Sequence, residues 1–174
     1  MKLLVAGCGG QGASHARAAA KIGGVEIAAL VDLDREKRAA LAAELGVRAQ
    51  YDDYGRALAE VGPEAVSIST WPDTHADFAL AALRRGAHVF VEKPLGRTVA
   101  EAEEVVQAAA AAGRKLYVGY ILRSHPGWMR FIEIGRTLGR PLVMRMNLNQ
   151  QSSGATWEVH KQLMASMSPI VDCG

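Results

Sequence analysis

The sequence has few of the features that mark a disulfide-linked, membrane-bound or nucleic-acid-binding protein. Its two cysteines, Cys8 and Cys173, stand far apart, which excludes a disulfide framework and a cysteine-based metal site. No apolar run is long enough to span a bilayer, and a strand that starts directly after Met1 and Lys2 leaves no room for a signal peptide. The formal net charge is only +2, and no basic cluster extends beyond residues 35–38. We therefore expect a cytoplasmic protein that binds no metal, membrane or nucleic acid.

The most informative segment of the chain runs from Lys2 to Asp32. It comprises an apolar run, the sequence Gly7-Cys8-Gly9-Gly10-Gln11-Gly12, a helical stretch and a second apolar run that ends at an acid. This order predicts a βαβ unit that binds a dinucleotide. The first glycine of G-x-G-x-x-G allows a tight turn, the second lets the backbone approach the pyrophosphate, and the third lets helix and strand pack closely. The predicted cofactor-binding residues of this unit are Gly7, Gly9, Gly10, Gln11, Gly12 and Asp32.

The form of the dinucleotide is indicated by Asp32 and the charges that follow it. Asp32 lies 20 residues past Gly12, where its carboxylate can accept hydrogen bonds from both ribose hydroxyls. It would repel a 2′-phosphate, and Asp34 adds a second negative charge nearby, so we expect NAD. The basic residues among positions 35–38 could still neutralise a phosphate, which leaves NADP possible.

Apolar segments alternate with alanine-rich helical segments up to Gly119. Strands that alternate with helices imply right-handed crossovers and a parallel sheet. We therefore expect an α/β fold, with a doubly wound Rossmann domain of six strands over residues 1–120. Within this domain, Asp73 or Thr74 is expected to cap a helix that starts near residue 76.

The sequence pattern changes after Tyr120. Residues 128–138 have a helical composition, and residues 142–149 alternate with a period of two, which predicts a half-exposed strand of an antiparallel sheet. Residues 121–174 are therefore expected to begin an α+β domain. A segment of about 50 residues is too short to bury a core alone, so we expect this chain to be the N-terminal part of a longer protein.

Polar residues also follow two later strands, at the carboxyl ends where open α/β sheets bind their ligands. We predict that Thr70, Trp71 and His75 after one strand, and Glu92 and Lys93 after the next, bind the cofactor. The first three have structural alternatives as well: capping for Thr70, cover for the core for Trp71, and an ordinary first-turn position for His75. Lys93 has a stronger functional interpretation, because its ammonium can donate to a substrate oxygen as negative charge develops there.

A resemblance to a known family rests on three motifs: the glycine loop, Ser69-Thr70-x-Pro72 with His75, and above all Glu92-Lys93-Pro94-Leu95. They resemble motifs of the glucose–fructose oxidoreductase/inositol dehydrogenase (Gfo/Idh/MocA) family. The resemblance covers the whole chain and is strongest before Tyr120. It implies a Rossmann domain followed by an α/β domain with an open antiparallel sheet. It also implies hydride transfer between NAD(P) and a hydroxyl-bearing carbon of a sugar, polyol or related compound.

The resemblance implies roles for individual residues. It makes Lys93 catalytic, and it makes Asp172 catalytic because Asp172-Cys173-Gly174 matches the start of the family motif D-x-G-x-H. The histidine of that motif, which would accept the hydroxyl proton, would lie two residues beyond Gly174. We therefore expect residues 1–174 alone to bind a dinucleotide without turnover. Arg123 resembles a cofactor-site residue near the nicotinamide, with an interdomain salt bridge as its structural alternative.

Three functions remain open from the sequence. The favoured one is an NAD(P)-dependent dehydrogenase that acts on a small sugar or polyol and, as the resemblance implies, forms a homo-oligomer at full length. A second is an NAD-dependent glycosidase or lyase that oxidises its sugar transiently and shows no net NADH formation. The third is a dinucleotide-sensing module without catalysis.

Overall fold

A computed structural model describes residues 1–140, 153–154, 157–158 and 161–162 of the chain. The chain divides into two compact units, Met1–Gly119 and Tyr120–Gly174. The predicted strand at residues 142–149 lies outside the described residues. No helix in the described part of the chain is long and apolar enough to cross a membrane.

The first unit alternates strands and helices throughout. Its strands are β1 (Lys2–Ala6), β2 (Glu26–Val31), β3 (Gln50–Tyr51), β4 (Ala65–Ile68), β5 (His88–Val91) and β6 (Leu116–Val118). Its helices are α1 (Gly10–Ala19), α2 (Arg35–Leu45), α3 (Tyr54–Val61), α4 (Pro72–Arg84) and α5 (Val99–Ala112). In the second unit, a short 3₁₀ turn (Ile121–Ser124) precedes α6 (Pro126–Thr137), which matches the predicted helix to within two residues.

All six strands form one parallel sheet in the order β3-β2-β1-β4-β5-β6. The prediction of a doubly wound parallel sheet is therefore confirmed. The strand order reverses between β1 and β4, and such a switch point opens a crevice at the carboxyl ends of the two strands. The glycine loop follows β1 and the segment from Ser69 follows β4, so both border this crevice.

The core has two layers because both faces of the sheet are covered. Leu4 and Ala6 of β1 pack in one buried cluster with residues of α3, α4 and α5, whereas Leu3 and Val5 pack in a second cluster with residues of α1 and α2. This alternation follows from the period of two along a strand. A sheet buried on both sides holds the strand ends, and the loops after them, in fixed positions.

Most helices of the first unit begin at a side-chain cap. Asp34, Asp53 and Thr98 accept hydrogen bonds from backbone N–H groups in the first turns of α2, α3 and α5. The prediction that Asp73 or Thr74 caps α4 is wrong, because α4 begins earlier, at Pro72. Proline is favoured at the first helical position, since its fixed φ suits the helix and its missing N–H would have had no partner there.

Candidate functional site

The glycine loop between β1 and α1 has room for two of its glycines only because they lack a Cβ. Gly7 has φ +95°, and a Cβ there would lie 2.4 Å from the carbonyl oxygen of Ser69. A Cβ on Gly12 would lie 1.9 Å from the carbonyl oxygen of Gly7. A Cβ on Gly9, in contrast, would meet no atom within 4 Å. The protein's own packing therefore requires Gly7 and Gly12, while Gly9 leaves its backbone open to a ligand.

The N-terminus of α1 offers backbone donors to that space. Gly9 is the residue before the helix, no side chain caps it, and the first turn contains no acid. The first N–H groups of a helix have no partner within the helix, and they carry the positive end of its dipole. Such a terminus, reached through a glycine loop, binds the pyrophosphate of dinucleotides in βαβ units. Gly10 and Gln11, in the first turn, are both exposed.

Asp32, directly after β2, holds the glycine loop from the other side. One carboxylate oxygen accepts the backbone N–H of Cys8 at 2.6 Å, and the other accepts that of Asp34 at 2.8 Å. A carboxylate oxygen has lone pairs for more than one hydrogen bond, so Asp32 retains capacity for ribose hydroxyls. The Arg38 guanidinium donates to the backbone carbonyl of Asp32. Arg38, one of the basic residues that could neutralise a 2′-phosphate, therefore lies next to Asp32.

The loop after β4 forms the opposite wall of the crevice. The hydroxyls of Thr70 and Thr74 lie 2.7 Å apart, and Thr74 also donates to the carbonyl oxygen of Trp71 at 2.8 Å. The Trp71 side chain is 51% exposed, so it does not cover the core. Among the described residues, the hydroxyl of Ser69 is one of a few buried polar atoms without a hydrogen-bond partner. It lies beside Gly12, at the point where β4 meets the glycine loop.

His75 has a different environment from the one expected of a cofactor-binding residue. Its side chain is 1% exposed. Nδ1 lies 2.7 Å from the carbonyl oxygen of Pro94, and Nε2 lies 3.2 Å from that of Thr70. Carbonyls only accept hydrogen bonds, so a neutral ring can donate to one of them and a protonated ring to both. With both nitrogens facing the backbone, His75 joins the loops after β4 and β5, and its ring is not open to a ligand.

Glu92 and Lys93 follow β5 at the same edge of the sheet. The backbone N–H of Glu92 donates to the carbonyl oxygen of Ile68 at 2.8 Å, so the pairing of β5 with β4 continues up to Glu92. The Glu92 side chain is buried, and Oε1 lies 2.7 Å from His15 Nε2. Burial alone raises the pKa of Glu92, but hydrogen bonds from His15 and from the Lys93 backbone, with the charges of both residues, hold it below its ordinary value. The geometry thus favours a buried carboxylate directly before Lys93, which is half-buried.

His15 also belongs to this site, although no motif of the sequence indicates it. It lies on α1, three residues beyond Gly12, and its ring also packs edge-on against Phe90, with centroids 4.8 Å apart. The only local signal was its helical spacing from Gly12, because its partner Glu92 is 77 residues away in sequence.

The remaining two predicted site residues belong to the second unit. Arg123 lies in the 3₁₀ turn, exposed, with its guanidinium carbon 4.9 Å from the centre of the Tyr120 ring. Asp172 lies outside the described residues, so its predicted catalytic role stays a prediction. No three potential metal-ligating side chains come together within the part of the chain that the structure describes.

Taken together, the groups around the crevice fit a dinucleotide. The uncapped α1 terminus suits the pyrophosphate, the space beside Gly9 admits it, and the Asp32 carboxylate suits ribose hydroxyls. The predicted site residues that follow β1, β2, β4 and β5 all lie at one edge of the sheet, because the carboxyl ends of parallel strands share an edge.

Comparison with known proteins also indicates a dinucleotide-binding fold. A profile of an oxidoreductase family with an NAD-binding Rossmann fold, Gfo/Idh/MocA, matches residues 1–120. Inositol 2-dehydrogenase 2 of Saccharopolyspora erythraea is 36% identical over 150 residues, which are 83% of this chain and 44% of that protein. The 4-carboxy-2-hydroxymuconate-6-semialdehyde dehydrogenase of a Sphingobium species is 29% identical over 170 residues, 92% of this chain and 54% of that protein. The chain thus spans about half the length of these curated relatives.

Solved structures agree with the sequence relatives. Scyllo-inositol dehydrogenase from Lactobacillus casei, solved with bound NAD(H) and scyllo-inositol, has a TM-score of 0.73 and 25% identity over 79% of this chain and 41% of that one. The expectation of NAD as the cofactor is confirmed at the level of the family, whose fold is described as NAD-binding. On the profile match over more than half its length, the chain belongs to the Gfo/Idh/MocA oxidoreductase family, as its motifs predicted.

Proposed function

We propose that the protein to which this chain belongs is an NAD-dependent dehydrogenase of a polyol or a similar hydroxyl-bearing compound. The observation that carries the proposal is the position of Lys93, which follows β5 at the same edge of the sheet as the glycine loop and Asp32. A bound nicotinamide would supply the hydride acceptor. Inositol is the favoured substrate class, because relatives from both comparisons are inositol dehydrogenases.

The proposed roles of the residues follow from their chemistry. The N-terminus of α1 would bind the pyrophosphate, and Asp32 would accept hydrogen bonds from the adenosine ribose. The Lys93 ammonium would donate to the substrate oxygen on which negative charge develops, and so lower the barrier to its oxidation. Asp172 and the residues after it are proposed to complete the acid/base machinery. Arg123 is proposed to lie near the nicotinamide.

The named relatives favour this function over the two alternatives. Each is called a dehydrogenase, whereas a glycosidase or lyase would oxidise its substrate only transiently. A sensing module would not need a lysine at the edge of the sheet where ligands of this fold react. The relative from Sphingobium, which is named for a semialdehyde, makes compounds other than polyols worth testing.

Cofactor binding can be tested on this chain by titration with NADH and NADPH in parallel. Trp71 borders the crevice and is half exposed, so bound nicotinamide should quench its emission. Trp71→Phe is the matched control, since it should remove the quenching and leave the increase in nicotinamide emission. We expect saturable binding that favours NADH by about tenfold or more, because Asp32 repels a 2′-phosphate. Failure of both nucleotides to bind would contradict the assignment of the glycine loop.

Catalysis must be tested on the full-length protein. NADH formation is followed with myo-inositol, scyllo-inositol, other polyols and a semialdehyde, for the wild type and for Lys93→Ala. The proposal predicts net NADH formation with at least one polyol and a large loss of kcat in the variant. Tight NAD binding without net NADH formation on any compound would favour the transient-oxidation alternative.

A further inference from the structure

The pair formed by His15 and Glu92 has no part in the function proposed above. His15 belongs to α1, the helix that starts at the glycine loop, and Glu92 follows β5 directly before Lys93. Their contact, 2.7 Å between Nε2 and Oε1, therefore joins the element that would hold the cofactor to the residue directly before the one that would act on the substrate.

Both side chains are fixed by contacts beyond the pair. The His15 ring packs at 62° against the ring of Phe90, which in turn stacks on Tyr117. The Glu92 carboxylate packs on Gly119, where a Cβ would lie 3.1 Å from it. Its second oxygen accepts the backbone N–H of Lys93 at 3.3 Å. The carboxylate thus has neighbours from α1, from the end of β6 and from the main chain of Lys93.

A buried carboxylate is costly unless hydrogen bonds satisfy its oxygens. A hydrogen-bonded pair that served only to hold α1 on the sheet could be replaced by apolar side chains at little cost, because burying the Glu92 carboxylate offsets much of what the hydrogen bond contributes. Glu92 differs from such a pair because it is adjacent to Lys93 and accepts its N–H. Any rotation of the carboxylate would therefore change the hydrogen bonding of the Lys93 main chain.

We propose that His15 is a positioning residue that acts through Glu92 to fix Lys93 at the edge of the crevice. His15 holds one carboxylate oxygen, which orients the other toward the Lys93 main chain. The placement of the Lys93 ammonium relative to a bound cofactor then depends on α1. This inference rests on the proposed function, since it assigns a reaction role to Lys93.

The test compares three variants of the full-length protein. His15→Leu removes the hydrogen bond, whereas His15→Gln keeps a donor. Arg17→Leu is the matched control, because it breaks an exposed ion pair of α1 with Glu44 that lies outside the site. For each variant, kcat and KM for the polyol are measured, together with the dissociation constant for NADH.

A positioning role predicts a specific split between these constants. In His15→Leu, kcat should fall by about 10- to 100-fold, the effect expected of a misplaced catalytic group, while the NADH dissociation constant changes less than about threefold. His15→Gln should recover kcat to within about threefold, and Arg17→Leu should match the wild type. An unchanged kcat in His15→Leu would overturn the inference. So would NADH affinity that falls as much as kcat, because His15 would then serve only the glycine loop.

A measurement without turnover separates this inference from the proposed function. In the 174-residue chain, the Glu92 carboxyl is titrated by ¹³C NMR and the Lys93 backbone amide is observed in the same samples. His15→Leu should raise the pKa of Glu92 and shift the Lys93 amide signal, whereas Arg17→Leu should do neither. If the wild type oxidises no compound but these changes occur, the proposed function fails and the positioning contact stands. If the Lys93 amide does not respond, the inference fails whatever the activity.

Discussion

Substituting the glycines of the loop one at a time should separate folding from cofactor binding. In Gly12→Ala, the new Cβ would lie 1.9 Å from the Gly7 carbonyl oxygen, whereas ordinary contacts begin at 3.4 Å. The Cβ would meet a backbone atom, which cannot rotate away as a side chain could. The N-terminus of α1 and the loop must therefore move apart by about 1.5 Å. Overpacking of a core typically costs about 1–3 kcal/mol, and the lack of a flexible side chain that could yield places this variant at or above the upper end.

Gly9→Ala gives the matched comparison, because its Cβ would meet no protein atom within 4 Å. Exchange of glycine for alanine before a helix costs at most about 1 kcal/mol. Its Cβ would project into the space where a pyrophosphate approaches the loop, so we expect NADH binding to weaken by about tenfold or more. Gly12→Ala should thus lower stability, and Gly9→Ala should lower affinity at nearly normal stability.

The assays are urea unfolding followed by circular dichroism and fluorescence titration with NADH. A loss of about 3 kcal/mol is a large part of the 5–15 kcal/mol typical of a domain, and it should lower Tm by about 10 °C. If Gly12→Ala unfolded within about 0.5 kcal/mol of the wild type, α1 could not approach Gly7 as closely as described. If Gly9→Ala bound NADH normally, the loop would not be the pyrophosphate site.

Three further predictions concern buried groups of the first unit. Burial and the nearby Asp32 charge raise the pKa of Cys8 to about 12, so iodoacetamide at pH 8 should modify Cys8 only after unfolding, as peptide mass spectrometry can show. Burial raises the pKa of Glu92, but the hydrogen bonds from His15 and Lys93 bring the net value below its ordinary 4.5. Its contribution to stability is therefore complete above pH 4.5 and is lost as the pH falls further, so the difference in unfolding free energy between wild type and Glu92→Gln should shrink below pH 4.5. The Tyr54 hydroxyl donates to the Phe78 carbonyl at 2.9 Å, so Tyr54→Phe should lower the unfolding free energy by about 1 kcal/mol in urea, and no loss would contradict that bond.

The fold of the first unit could be predicted because its signals are local. Apolar runs, alanine-rich helical segments and the glycine motif each act within a few residues, and together they specify alternating strands and helices. Helix α4 begins earlier than the sequence pattern predicts, because polar residues near Thr74 are plausible caps. The proline at position 72, which begins the helix, was the stronger signal.

The candidate site was only partly predictable, because some of its contacts join residues far apart in sequence. The chemistry of Lys93 follows from its place after a strand, but nothing near His15 indicates that a glutamate 77 residues away will accept its hydrogen bond. For His75 the sequence indicated a polar position at the edge of the sheet. It could not indicate that the carbonyls of Pro94 and Thr70 would occupy both ring nitrogens.

The two hydrogen bonds that Asp32 accepts from backbone N–H groups have a kinetic consequence. Both bonds lie within the protein and fix the turn at Cys8, so part of the conformational entropy of the glycine loop is lost during folding rather than during binding. Association then needs no slow rearrangement of the loop, and its rate should rise linearly with nucleotide concentration instead of reaching a plateau. Differences in affinity among nucleotides would accordingly arise from how fast each one leaves.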